Sequence, residues 1–184
     1  MNEILTRSIT LIGLRDLMMD RYAGDNDTEL AAEEKLYYGE DGKTLVYPVE
    51  NLLSFLAAEN TQSCSKMFGG RKWRGLAAAI KSCILVTPDP IPILDGDGKV
   101  ILFKKFNDKI QVHHSVARLK GGVPNPKERP VIRRPWQLKF QIEMIPNEYF
   151  KETTVKQLFE KGGIFIGLGT YRPVFGKFEV AGWE

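Results

Sequence analysis

The stretch GGIFIGLGTYRPVFGKFEV, residues 162 to 180, constrains the chain most, because Gly162, Gly163, Gly167, Gly169 and Gly176 interrupt it just ahead of the last extended run. Glycine permits a left-handed backbone and the close approach of another segment. Such a stretch reads as a tight turn, a phosphate cradle or a platform for another backbone. A Rossmann cradle needs Gly-x-Gly-x-x-Gly after a strand and before a helix. Here the glycines follow a helical pattern, and six residues separate Gly169 from Gly176. The stretch holds no Walker Gly-Lys-Ser/Thr either. A nucleotide cradle is therefore disfavoured, and the order helix, glycine loop, strand becomes the guide to the fold.

The clearest strand precedes that helix. In PWQLKFQIEMIP, Leu138, Phe140, Ile142 and Met144 share one face, and Gln137, Lys139, Gln141 and Glu143 the other. NEYFKETTVKQLFEKGG then predicts a helix with Val155, Leu158 and Phe159 inward and Gly162 at its end. Near the N-terminus, β-branched Ile4, Thr6, Ile9, Thr10 and Ile12 mark a first strand. A helix follows Pro48, with Val49, Leu52, Leu53, Leu56 and Ala57 on one side. Two strand–helix–strand units predict an α+β class: a ferredoxin-like, RRM-like antiparallel sheet with helices on one face, plus an insertion. Residues 1–184 read as one domain, with insertions around 22–44 and 113–135. The first insertion is acidic, and Asp27 or Thr28 is a candidate cap for a helix over ELAAEEKLYY. The basic segment 108–134, which spans most of the second, contains three prolines and reads as a long loop. Asp95-Gly-Asp-Gly98 signals a hairpin turn. Asp95 and Asp97 open a calcium-loop spacing, but no glutamate closes it at the twelfth position.

Charge is unevenly distributed. Residues 1–60 hold 12 acidic and 5 basic side chains, and the rest hold 11 acidic and 21 basic ones. Between Lys99 and Lys139, eleven Lys or Arg face only Asp108 and Glu128. Arg118, Lys120, Arg133 and Arg134 belong to this run. Such a field attracts polyanions, nucleic acid above all, unless it is merely a solvated face. In KMFGGRKWRG, Lys66, Arg71, Lys72 and Arg74 surround Trp73, the mix of cations and an aromatic face that single strands favour. The alternative is a Trp73 that anchors a helix start. RPVIRRPWQ repeats the pattern with Arg129, Arg133, Arg134 and Trp136.

The GIFIGLGTYRPVFGKFEV stretch resembles the glycine loop of the RAMP superfamily, the repeat-associated proteins that form backbone and processing subunits of CRISPR effector complexes. Gly167, Gly169, Arg172, Gly176 and Phe178 match its Gly-hydrophobic-Gly, basic stretch and Gly-x-Phe. LVYPVENLLSFLAAE resembles the proline-led helix of the same superfamily, with Asn51, Leu52, Leu53 and Ser54 where Ser-Leu-Lys-Gly is expected. Together these cover residues 45–60 and 136–180, and they fit a stand-alone or phage-borne relative as well as a complex subunit. The resemblance implies a protein that binds single-stranded RNA or ssDNA and reads backbone more than sequence. It also implies possible head-to-tail oligomer assembly, the acidic third of one copy meeting the basic remainder of the next, or a partner in an effector complex. Gly169, Tyr171, Arg172 and Lys177 are then the loop's binding residues: loop amides face phosphates, Tyr171 stacks, and Arg172 forks onto phosphate or base. The competing possibility is a loop that only turns the chain.

Two other functions stay open. Relatives that process RNA use a histidine as general base, which His113 or His114 could supply beside Lys109 or Arg118 in a metal-independent endoribonuclease. Adjacent strand residues face opposite ways, so only one could reach a site. The expectation is a binding protein without enzymatic activity, cofactor or metal. The remaining possibility is a protein-binding inhibitor that mimics a RAMP subunit. Cys64 and Cys83 read as free, buried thiols in a reducing compartment. No apolar run suits a membrane span, and the N-terminus lacks a signal-peptide pattern, so a cytoplasmic protein is expected.

Overall fold

The computed structural model describes residues 3–118 and 121–184. The chain runs β1 (Leu5–Gly13), β2 (Leu17–Met18), β3 (Val46–Tyr47), α1 (Val49–Ala57), α2 (Cys64–Phe68), α3 (Trp73–Cys83), β4 (Ile84–Thr87), β5 (Ile91–Asp95), β6 (Ile110–Arg118), β7 (Pro124–Ile132), β8 (Trp136–Met144), α4 (Glu152–Phe165) and β9 (Phe178–Trp183). The alternating sequence of β8 makes it the centre of the main sheet, because its even-numbered side chains are all buried. On one side β8 pairs antiparallel with β1, which pairs in turn with β9. Its other edge is shared by β4 and β5, and β3 extends the sheet beyond β5.

Two strand–helix–strand units thus interleave: β1 and β4/β5 flank β8, and β8 and β9 flank β1. This is the expected α+β, ferredoxin-like arrangement. The helices cover one face, where Phe55 of α1 and Phe159 of α4 meet Phe140 and Phe178 of the sheet. On the opposite face β8 presents Gln137, Lys139, Gln141 and Glu143, and β1 presents Thr6, Ser8 and Thr10. These strands carry no aromatic pair of the kind an RRM sheet offers to bases.

Four expectations are corrected by packing. α4 does not end at Gly162 but runs through Gly163 to Phe165. A side chain at Gly162 would strike Cys64 and Phe55, and one at Gly163 would strike Phe178, so these glycines let α4 lie close to α1, α2 and β9. The acidic insertion forms only a short 3-10 turn, Glu33–Lys35, instead of a helix. Asp25 takes the amide and hydroxyl of Thr28, which removes the helix start, and Lys35 is drawn inward to Glu29 and the Glu128 carbonyl. The basic segment is not a loop: β6 and β7 pair over nine residues as a long hairpin, despite Pro124, Pro126 and Pro130 in β7. Trp136 is no exposed stacking ring, since it is fully buried with its indole N–H donated to the Arg15 carbonyl at 2.7 Å.

Asp95 closes the expected turn by accepting the amides of Asp97 and Lys99, and it also pairs with Lys109. Cys64 is buried and Cys83 half-buried, both as free thiols, and burial pushes the Cys64 thiol up. Among the described residues no helix is long and apolar enough to cross a membrane.

Candidate nucleic-acid interface

The glycine loop after α4 lies across the short segment that joins β1 to β2. The amides of Leu168, Gly169, Thr170 and Gly176 are taken up within the fold. Leu168 N–H donates to the Gly176 carbonyl, Gly169 N–H to the Tyr47 hydroxyl, Thr170 N–H to the Met18 carbonyl and Gly176 N–H to the Asp16 carbonyl. Gly167, Gly169 and Gly176 all have positive φ, and a side chain at Gly169 would collide with the Met18 carbonyl. The glycine amides of the loop therefore form no cradle for phosphate. Its glycines serve close backbone contact, and what it offers outward is side chains.

Tyr171 carries the one positive φ among described non-glycine residues, 54°. That conformation turns its ring outward, where it stacks on Phe175 at 5.8 Å with an interplanar angle of 28°. Phe175 meets His113 of β6 edge-on at 5.3 Å, so a row of three rings joins the loop to the hairpin. Next to Tyr171, Arg172 is half-buried, yet its guanidinium has no hydrogen bond or ion pair among the described residues. Its unbonded nitrogens reach solvent, so the guanidinium is open to an anionic ligand.

Arg172 lines two clefts that share Gly169 and Thr170. The first, about 220 Å³, is polar and is lined by Tyr37, Tyr47, Asn51, Ser54 and Asp20. Asn51 and Ser54 come from the first turns of α1, and Tyr47 from β3 immediately before it. Burial pushes the Tyr47 phenol up to about 12, so it stays neutral. The carboxylate of Asp20 is already held by Arg129 at 2.6 Å, which leaves Arg172 as the uncompensated charge. The second cleft, about 350 Å³, is lined by Gln62, Phe165, Ile166, Tyr171 and Pro173.

The other cations divide into those spent and those available. Arg133 pairs with Asp16 at 3.2 Å, and Arg134 donates its amide to the same carboxylate and its guanidinium to the Leu14 carbonyl. These two brace the segment beneath the glycine loop. Lys127 and Lys35 share Glu29, whose carboxyl they hold down to about 2. The acidic insertion is thus stapled to the hairpin within one chain, which takes up part of the charge that sequence assigned to a neighbouring copy. Lys177 is half-buried, and its carbonyl accepts the amides of Leu14 and Arg15.

Trp73 begins α3, half-buried against the core, with Lys66 Nζ 5.5 Å and the Arg74 guanidinium 4.8 Å from its ring. Its own cations occupy the ring, so it is a helix anchor more than an open stacking face. Arg71, Lys72 and Arg74 are exposed. This group adjoins the second cleft through Phe68, whose ring lies 6.2 Å from that of Phe165. Lys120 and the Arg118 side chain lie outside the described residues. The histidines separate as strand geometry requires: His113 faces Phe175, and His114 Nδ1 lies 3.2 Å from Glu128.

Sequence reasoning found Tyr171 and Arg172 but not Phe175, His113, Tyr47 or Phe165 as their neighbours. Asn51 and Ser54 were visible only as positions of the proline-led helix. His113 and Tyr47 are brought to the loop by long-range packing, which nothing local marks, whereas Phe165 and Phe175 lie within the same stretch and only the fold shows their rings beside Tyr171.

No family model and no curated protein matches the chain. Among solved structures, the fold is similar to a chain in a cryo-EM structure titled as the Type III-B Cmr-beta bound to cognate target RNA, with TM-score 0.63 and 10% identity. The match covers 99% of this chain and 60% of that one, so this chain spans less than two thirds of its neighbour's length. At that identity, what the two share is the fold.

Proposed function

We propose that the protein binds single-stranded nucleic acid, RNA ahead of DNA, in the manner of a RAMP-type subunit that reads backbone more than sequence. One observation carries this: the half-buried, unpartnered Arg172 between two clefts, beside the outward stack of Tyr171 on Phe175. A fixed guanidinium suits a phosphate and an exposed ring suits a base. The fold neighbour's RNA-bound state supports RNA as the first candidate. An effector-complex partner and assembly along a strand belong to the same proposal. Binding without cleavage is favoured because His113 and His114 face opposite sides of β6 and Lys109 is engaged by Asp95.

Titration against single-stranded RNA, single-stranded DNA and duplex over a range of salt tests this. Affinity for the single strand should fall steeply with salt as phosphate contacts release counterions. Affinity that is flat with salt, or seen only for a protein partner, would replace this function with that of a docking module.

A further inference from the structure

Resting on the strand binding proposed above, we infer that the cleft between Phe165 and Tyr171 holds one unstacked nucleobase while Arg172 takes the adjoining phosphate. Phe165 ends α4 and is 57% exposed; Tyr171 is 56% exposed on the other part of the same cleft. Two large rings left open to water on one cleft of about 350 Å³ call for a flat, apolar-faced occupant. Neither ring is loose. Phe165 is backed by Phe68, over which Lys161 lies at 5.9 Å, and Tyr171 is backed by Phe175.

The polar groups select among flat occupants. Gln62, exposed at the rim, brings an amide that both donates and accepts, which matches a base edge. Arg172 forms part of the walls of both clefts, so a phosphate on its polar side and a base on its aromatic side belong to one nucleotide. An apolar protein side chain would use the rings and leave the amide and the cation unmatched. A nucleotide uses all three.

The test compares wild type with Phe165→Ala and Phe165→Leu on a single-stranded RNA of roughly twelve nucleotides, a length within what one OB-fold covers. Loss of the ring should weaken binding about 5- to 150-fold, the span of one stacked base, with no change in salt slope. Phe165→Leu keeps packing on Phe68 and should melt like wild type while losing comparable affinity. On the same strand built wholly of abasic nucleotides, all three proteins should bind alike. Undiminished RNA binding by a folded Phe165→Leu overturns the inference, as does an equal loss on the abasic strand; the proposed function survives either result. If wild type binds no single strand at all, the proposed function fails first and the inference with it.

Discussion

The hydroxyl oxygen of Tyr47 accepts the backbone N–H of Gly169 at 3.2 Å, tying the glycine loop to the residue that precedes Pro48 and α1. Tyr47→Phe should cost about 1–2 kcal/mol in a urea titration, since it strands an amide without a partner. The difference should depend on pH. Burial holds the folded phenol near 12 against an ordinary value of about 10, so its contribution is whole below pH 10 and is lost as pH rises toward 12. Stabilities of the two proteins should therefore converge between about pH 8 and about pH 11.

Gly169→Val should destabilise the fold by more than about 2 kcal/mol. It forces a β-branched residue into positive φ and drives its side chain at the Met18 carbonyl. Thermal melting measures this directly. A melting temperature equal to wild type would mean the loop does not need its close approach to Met18.

Arg172→Ala and Tyr171→Ala should separate in their effects on single-strand binding. Removing the guanidinium should lower the salt slope by about one unit, because one phosphate contact is lost. Removing the Tyr171 ring should cost roughly 1–3 kcal/mol with little change of slope. Among the described residues the Arg172 guanidinium has no hydrogen bond or ion pair, so its loss should leave the melting temperature unchanged. Intact binding by the folded double variant would take the loop out of the interface and move attention to Arg71 and Arg74.

Glu29→Gln should loosen the acidic insertion. Its carboxylate joins Lys35 and Lys127 at 2.8 and 2.7 Å, and loss of its charge leaves the buried Lys35 with the Glu128 carbonyl. Glu29 is largely exposed, so the global effect should be small, while limited proteolysis over residues 22–44 should speed up. The folded carboxyl lies near 2 against an ordinary value of about 4.5; the staple is complete above that ordinary value and is lost as pH falls toward 2. Proteolysis of wild type should accelerate over that window, and that of the variant should not.

How much of this the sequence revealed follows from where each signal resides. β8 was legible because its periodicity is local and matches the face it buries, and α1 nearly so, with Phe55 taking the buried place expected of Leu53. The hairpin was not, since three prolines argue for a loop; each β7 residue nonetheless finds a partner in β6. At the site, Arg172 and Tyr171 stood out by composition. That Arg172 is unpaired among the described residues, while Arg129 and Arg133 are spent on Asp20 and Asp16, depends on contacts more than a hundred residues apart. The glycines were recognised as a loop but assigned the wrong task, because sequence cannot tell an amide that faces solvent from one bonded to Met18 or Asp16.

The prolines of β7 also decide how the hairpin meets its surroundings. The carbonyls of Pro130 and Glu128 are taken by Met19 N–H and Lys35, both on the side away from β6. With a strand's two-residue period, Pro124 and Pro126 address that same outer edge. A proline has no N–H to give, so beyond β2 the outward edge of β7 offers an incoming strand the amide of Glu128 as its donor, while the carbonyls of Pro124 and Pro126 remain as acceptors. The hairpin is in effect hemmed on that border. Continuous strand addition, which needs donors and acceptors in alternation, is disfavoured there, and side chains dominate what the hairpin presents along β7.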